Sequence, residues 1–535
     1  MKKIVFVFLT IFLMASWVFA SGSSQQSSGG TSSSVTPLTD DRSKTLDIIW
    51  WGYNLTGVLP YDGSIVQREM ERRYNIRITN VPVDSYNGEQ KNLLWATGID
   101  FDVLVGWAAI GTLSQRVDSG LIRPISIDMM NRFAPGIVGM LANASPQWAN
   151  IAMVDGVLYG FPHYSVDQES AWGLSVRTDW LKNLGVTTLP KTLDELEALM
   201  VRFRNDDPDG NGRRDTYGLS MAEGVNGMSI NPYLFGAYGV QLNQWGIDTD
   251  GSPKWYAIDD NYRQALIKLN EWWAKEIYDP SILVNQTRND NMARVGNGFV
   301  AGYFGTDWLL LPRAASLLSG WNLLIQEHPE YDVDNLTTYI APVSGPMGAR
   351  TLQFNTPLMN QVTNFGRRTT DEKVARLLSM FNDILTQREL FLLVQDGILG
   401  QQWDYNADGR PEVKPEWLNP EKASEYGQAR FYPHLFFPKE FSDIALTPGQ
   451  VRSREFMKDY PVFPIHTASL FNTEADTEYV ATRTIATEYF WKAVTGEWNV
   501  NSTWDDYVRR WTAAGGQQTI DAKKKIAVEL GLNSR

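Results

Sequence analysis

The chain has no cysteine among its 535 residues. That excludes disulfides, thiolate metal sites and thiol nucleophiles. Histidine is scarce. His163, His328, His434 and His466 lie far apart and show no metal spacing such as HExxH. Positive charge is short as well, with 48 Lys and Arg against 61 Asp and Glu and a net charge of −13. No basic patch stands out, which argues against nucleic-acid binding. No Gly-x-Ser-x-Gly elbow and no phosphate-cradling glycine loop occurs. A glycosidase needs two carboxylates about 5 to 10 Å apart across a cleft. The composition allows such a pair, but nothing in the sequence singles one out.

One long apolar run is present, Ile4 to Phe19, preceded by Lys2 and Lys3. Polar Ser21 ends it too early for a spanning helix, and Val18-Phe19-Ala20 suits a signal peptidase. Residues 1–20 therefore read as a cleaved secretory signal peptide, and the mature protein as periplasmic. Ser21 stands where a lipoprotein would need cysteine, so a lipoprotein is not expected. Loss of Lys2 and Lys3 leaves 46 basic against 61 acidic side chains, a net charge of −15. Such acidity reports solubility and does not select a ligand. The Ser/Gly/Gln-rich stretch 21–37 opens a flexible tether covering 21–44.

What the chain does have is an unusual acidic loop, D207-P-D209-G-N211-G-R-R-D215. Oxygen-bearing side chains recur at nearly every second residue, separated by glycines. A hard cation such as calcium takes six to eight oxygens in a flexible cage. Asp207, Asp209, Asn211 and Asp215 offer side-chain oxygens, and Arg213 a carbonyl. No Glu closes the loop at the twelfth position, unlike an EF-hand. The plain alternative is a surface turn that binds nothing. Asp404–Asn406–Asp408–Gly409 and Asp248–Asp250–Gly251 alternate oxygens too, but read as hairpin tips.

Thr192 with Glu195 forms a capping box at the start of a helix, and Leu193, Leu196, Met200 and Phe203 follow at helical spacing. The acidic loop thus hangs from a helix end and leads into the strand-like TYGLS. Short apolar runs alternate with amphipathic segments elsewhere: Leu46–Ile49, Ile65–Tyr74, Ile76–Val83, Gln90–Ala96 and Phe101–Val105. Strands alternating with helices predict an α/β fold with a mostly parallel sheet. Tyr262–Ile277 places Leu266, Leu269, Trp273 and Ile277 on one side of a helix. Thr370 caps another helix that carries Val374, Leu377, Phe381 and Ile384. No internal repeat occurs.

The run RTDWLKNLG…PKTLDE…DPDGNGRRDTYGL resembles the extracellular solute-binding proteins (family 1) of ABC transporters, in their oligosaccharide-binding branch. ATGIDFDVLVGW, MVDGVLYGFPH, NGFVAGYFGTDW and GILGQQWDYNADGRP extend the resemblance over most of the mature chain in family order. It implies a two-lobed periplasmic-binding-protein fold, type II-like, with a ligand cleft between the lobes. Lobe 1 is expected over 45–160 with 355–400 returning, and lobe 2 over 161–354 with 401–535. MVDGVLYGFPH (153–163) would cross into the second lobe, and Tyr339 to Pro342 would lead back to the first. The expected partners are an oligosaccharide and the ABC permease membrane subunits, with the protein itself a monomer and no enzyme. A sensor or adhesin subunit on the same fold is the alternative, and a glycan-acting enzyme a more distant one.

Sugar rings present apolar faces to aromatics and hydroxyls to polar side chains. Trp51, Trp107, Trp172, Trp308 and Trp403 follow strands or fall in the matched segments. Asp307, Gln402, Tyr164 and Asp167 lie beside them. These nine are the candidate ligand contacts. His163 lies at the same crossing, either as a structural residue or as a ligand contact.

Overall fold

A computed structural model describes residues 38–529, except 53, 55–61, 86, 107–111, 165–170, 222–229, 242–244, 249–250, 285–287, 306–320, 322–323, 325–327, 329, 332, 353–357, 408, 418–421, 423–424, 428–430, 432–440, 442–443, 445–447 and 464–472. Residues Thr39–Arg535 cluster as one compact unit.

Two mixed sheets organise it. The strands of the first half are β1 (Leu46–Trp51), β2 (Ile76–Asn80), β3 (Val103–Leu104), β4 (Met153–Val154), β5 (Val157–Leu158), β6 (Phe161–Tyr164), β7 (Gly173–Arg177) and β8 (Tyr217–Ser220). They continue as β9 (Trp245–Ile247), β10 (Pro253–Trp255), β11 (Val300–Gly305), β12 (Thr337–Ile340), β13 (Leu358–Phe365), β14 (Trp403–Tyr405) and β15 (Pro411–Val413). The first sheet has the order β2-β1-β3-β13-β6 and the second β12-β7-β11-β8.

β1 pairs in parallel with β2 and β3, while β13 runs antiparallel to both β3 and β6. In the second sheet β11 and β8 are parallel, and β7 opposes β11 and β12. The sheets are therefore more mixed than the alternating pattern predicts. The reason is topological. β7 and β13 are the strands by which the chain enters each sheet from the other one. They start at the edge where β1, β3, β6, β8 and β11 end, so they run the opposite way. Segment 153–163 does not cross between the sheets: it forms the separate β4–β5 hairpin and then enters β6 of the first sheet. The chain next enters the second sheet at β7, from Gly173. Tyr339 and Ile340 likewise close β12 in the second sheet, and the chain re-enters the first sheet at β13, from Leu358.

Local signals explain most helices. Ser64 Oγ accepts Gln67 N (3.3 Å) and starts the helix Ile65–Tyr74, which buries Val66, Met70 and Tyr74 at i, i+4, i+8. Helix Asp371–Thr386 buries Val374, Leu377, Phe381 and Ile384, and its Phe381 lies edge-on to Trp50 of β1 (5.7 Å) and to Phe161 of β6 (6.1 Å). Helix Asp260–Ala274 buries Tyr262, Ala265, Leu266, Leu269 and Trp272. Trp273, placed on the stripe by sequence, lies at its rim and stacks on Tyr278 (6.2 Å). This helix stops before Ile277 because Glu276 turns left-handed at φ 56°. The second sheet shares its core with the C-terminal residues Tyr489, Phe490, Trp504, Tyr507 and Trp511. Among the described residues no helix is long and apolar enough to cross a membrane.

Candidate functional site

The C-terminal ends of β1, β3 and β6 and the start of β13 share one edge of the first sheet. The ends of β8, β11 and β12 and the start of β7 share one edge of the second. The chain leaves the first edge after Tyr164 and comes back to it before Leu358. In open α/β sheets this edge is where ligands settle, because loops there converge and side chains are free to differ.

Trp51 ends β1 and is 1% exposed, with Phe101 edge-on at 5.8 Å. Tyr164 ends β6 opposite Leu358 of β13 and is also buried. Trp172 ends the first crossing, packed in the second-sheet core. These three candidates are thus brought to the two edges. Gln402 and Trp403 are not. Trp403 belongs to a separate small core with Phe391, Leu392 and Phe441, and Gln402 is buried next to it in sequence. Gln402 Oε1 accepts Ile398 N (2.9 Å) and Trp403 Nε1 donates to Gly397 O (2.9 Å), so both brace their own turn. Trp107, Asp167, Asp307 and Trp308 lie outside the described residues.

Among the described residues, four buried polar atoms near these edges find no hydrogen-bond partner: Trp51 Nε1, His163 Nδ1, Gln361 Oε1 and Ser220 Oγ. A buried polar group left unpaired costs about 1–3 kcal/mol. His163 is fully buried, and burial lowers its pKa to about 3, so the imidazole is neutral at any ordinary pH. Its Nε2 is 3.5 Å from Thr363 Oγ1. The β13 register shifts between Met359 and Val362, around Gln361. Gly106 closes over this spot: a Cβ there would stand 2.7 Å from His163 Nε2 and 2.9 Å from the Gln361 carbonyl carbon. The Gly106–His163 contact was not legible in sequence, because 57 residues separate the partners and no local pattern marks either one.

The acidic loop sits at the far end of helix Leu193–Asn205. That helix begins with the expected capping box, Glu195 N to Thr192 Oγ1 (3.2 Å) and Thr192 N to Glu195 Oε2 (3.1 Å). Asp207 is left-handed at φ 48°, and Gly210 and Gly212 also take positive φ. The chain therefore curls on itself. Asp207 accepts Asn211 N (3.1 Å) and Gly212 N (2.9 Å). Asn211 Nδ2 donates to Asp209 (2.8 Å) and Asp215 (3.2 Å), and Arg213 N donates to Asn211 Oδ1 (2.8 Å). Burial, the adjacent Asp207 carboxyl and the charge of Asp215 raise the Asp209 pKa, against the pull of Asn211 N. Among the described residues, no three His, Asp or Glu side chains stand close enough to share a metal ion as placed. Here the Asn211 amide is the positive end that the carboxylates gather round. A cation taking that place would require the amide to turn and present Oδ1.

The loop is fixed to the body by arginines. Arg204 donates to Arg214 O (2.8 Å) and Thr216 O (3.2 Å), and Arg214 pairs with Glu276 (2.6 Å) at the end of helix Asp260–Ala274. An open groove of about 660 Å³ lies between these two helices. Its buried carboxylate, Glu197, is already held by Lys268 (2.7 Å) and Lys275, so it is a poor sugar site. The other acidic turns are hairpin tips. Asp248 N bonds Ser252 O (2.8 Å) between β9 and β10, and Asn406 N bonds Arg410 O (2.9 Å) between β14 and β15.

No protein-family model matches the chain. It is 28% identical over 250 residues to the fructooligosaccharide ABC transporter substrate-binding protein FusA of Streptococcus pneumoniae, covering 44% of this chain and 45% of that one. It is 24% identical over 336 residues to lipoprotein LipO of Bacillus subtilis, covering 62% and 61%. The matched segments thus span about half to three fifths of these relatives. The solved structure of FusA with kestose superposes with a TM-score of 0.68 at 18% identity, over 92% of this chain and all of that one. That of the alginate-binding protein AlgQ2 without calcium ion does so at 0.68 and 17% identity, over 93% and 99%. An EF-hand mutant of FusA has also been solved and superposes at 0.69. The chain therefore shares the fold of these solved solute-binding proteins, and parts of it are similar in sequence to ABC transporter substrate-binding proteins.

Proposed function

We propose that the chain is the solute-binding component of an ABC importer, taking an oligosaccharide between the two sheet edges and presenting it to membrane permease subunits without altering it. The observation that carries this is the set of unpartnered buried polar atoms at those edges. Trp51, His163 and Gln361 stand on one side and Ser220 on the other. Ordered water or sugar hydroxyls would satisfy them, and closure would exchange the one for the other. Trp51, Tyr164 and Trp172 are proposed to line the site, and Trp107, Asp167, Asp307 and Trp308, outside the described residues, to contact the ligand as well. The protein is proposed to act as an exported monomer.

The acidic loop is proposed to hold one structural calcium through Asp207, Asp209, Asn211 and Asp215, with the Arg213 carbonyl added. The mutual influence of the Asp207, Asp209 and Asp215 carboxyls supports this, as does the existence of a calcium-free AlgQ2 structure and an EF-hand mutant of FusA among the structural neighbours.

The test is a thermal-shift and calorimetry panel of kestose, alginate oligomers and oligogalacturonides, with product analysis of the same mixtures. One glycan class should raise Tm by mass action and be recovered intact. Cleavage of any glycan, or silence across the panel, would overturn the reading.

A further inference from the structure

Three stretches of chain meet beside the second sheet, and one residue joins all of them. Thr351, on the return segment, is fully buried. Its Oγ1 donates to Trp172 O (2.8 Å) on the first crossing. Its N donates to Pro461 O (2.9 Å), and its O accepts Phe463 N (3.2 Å), both on a third segment. Trp172 N returns a bond to Leu352 O (2.8 Å). Nearby, Tyr233 OH donates to Ile340 O (2.6 Å) and accepts Leu174 N (3.2 Å), while Tyr460 OH also donates to Ile340 O (3.3 Å). The end of β12 and the start of β7 are therefore pinned to each other and to the third segment.

We infer that Thr351 is the positioning residue of the hinge. Through it the two crossing segments and the third segment are locked into one rigid knot beside the second sheet. The physical reason is cooperative. Each segment alone is a short extended chain, and each backbone bond is worth about 0.5–1.5 kcal/mol. Bonded through one buried side chain, they bend together or not at all. A hinge needs only a few residues that change φ and ψ, provided the rest is held. The hydroxyl is the side-chain link to the first crossing, beside the Trp172 N to Leu352 O backbone bond, while the backbone groups of Thr351 serve the third segment. It acts through Trp172, whose carbonyl it holds. This role rests on the two-lobed solute-binding reading, but its test does not need a solute.

The absence of cysteine allows that test directly. Leu93 (66% exposed), on a helix beside the first sheet, and Val284 (75% exposed), beside the second, are replaced by cysteine and spin-labelled. Interlobe distance distributions are then measured on the ligand-free full chain, as wild type, Thr351→Val and Thr351→Ser. Valine keeps the shape and removes the hydroxyl, and serine restores it. The expected result is a broadened or shifted distribution for Thr351→Val and a wild-type distribution for Thr351→Ser. Hydrogen exchange should rise at least threefold in peptides from 171–174, 351–352 and 461–463 together, with the β1 and Asp371–Thr386 peptides unchanged. Overlapping distributions for all three proteins, or faster exchange in the 351–352 peptide alone, would overturn the inference. The glycan panel remains a separate readout, so a protein that binds no sugar and still shows this hinge response would sink only the solute reading.

Discussion

The Arg376 guanidinium pairs with the Asp40 carboxylate, 336 residues earlier in the chain. It also donates to Tyr74 O, to Asn75 O (3.2 Å) and to Asp41 O (2.6 Å), and is itself 1% exposed. One side chain thus closes the C-terminal end of helix Ile65–Tyr74 and anchors the start of the folded chain.

Replacing Arg376 with Ala should cost about 3–5 kcal/mol, because it strands a carboxylate and several carbonyls at once. Urea unfolding measures this. A loss under about 1 kcal/mol would mean that the N-terminal segment contributes nothing to stability. Solute affinity of the folded fraction should not change.

Asp209 supplies a second expectation. Its pKa is raised in the cation-free fold, so the native state holds a proton that the unfolded chain releases near 3.8. Its stabilising contribution is present below the unfolded pKa and is lost as pH rises through the folded one. At neutral pH the cation-free loop therefore carries repulsion. Asp209→Asn should raise the Tm of chelator-treated protein and abolish the further rise that calcium gives wild type. Calcium at a hundredfold excess over Kd should add about 2.7 kcal/mol to wild type. Wild type that melts identically in calcium and in chelator would remove the metal from the account.

His163 gives a pH signature of opposite sense. Its folded pKa of about 3 lies below the ordinary 6.5. Stability tied to the neutral ring is complete above pH 6.5 and falls as pH drops toward 3, by up to roughly 1.4 kcal/mol per pH unit. His163→Leu should lose stability at pH 7 and draw level with wild type as pH falls. A gap that stays constant from pH 7 to pH 4 would show that the ring titrates normally.

Gly106→Ala tests the same spot by size. The added methyl would meet the His163 ring at 2.7 Å and the backbone of Gln361 at 2.9 Å. Overpacking of this kind costs about 1–3 kcal/mol. Solute affinity should fall along with Tm, because the shift is delivered to the edge that carries the proposed site.

Trp403→Ala separates packing from recognition. The indole lies in a small core of its own and braces Gly397. Its loss should cost about 3–5 kcal/mol while solute affinity stays within twofold. A tenfold loss of affinity at full folding would restore Trp403 to the binding surface.

Much of this was readable in one dimension. Ile65–Tyr74, Leu193–Asn205 and Asp371–Thr386 each announce themselves by a capping residue and a 3.6-residue stripe. The acidic loop and the hairpin tips follow from Asp, Asn and Gly at fixed offsets. These signals act within a few residues of chain, where backbone geometry leaves little choice.

Other features had no local signal. Trp51 and Trp403 look alike in sequence, yet one ends a strand at the sheet edge and the other fills a separate core. Trp272 and Trp273 are neighbours whose burial differs through helix phase. The direction of β7 and β13, the closeness of Gly106 to His163, and the reach of Arg376 to Asp40 join residues dozens to hundreds of positions apart. Hydrophobic periodicity and capping chemistry determined which elements form, because both are short-range. Which of those elements meet, and so which polar groups are left without partners, was decided only by the packing of the whole chain.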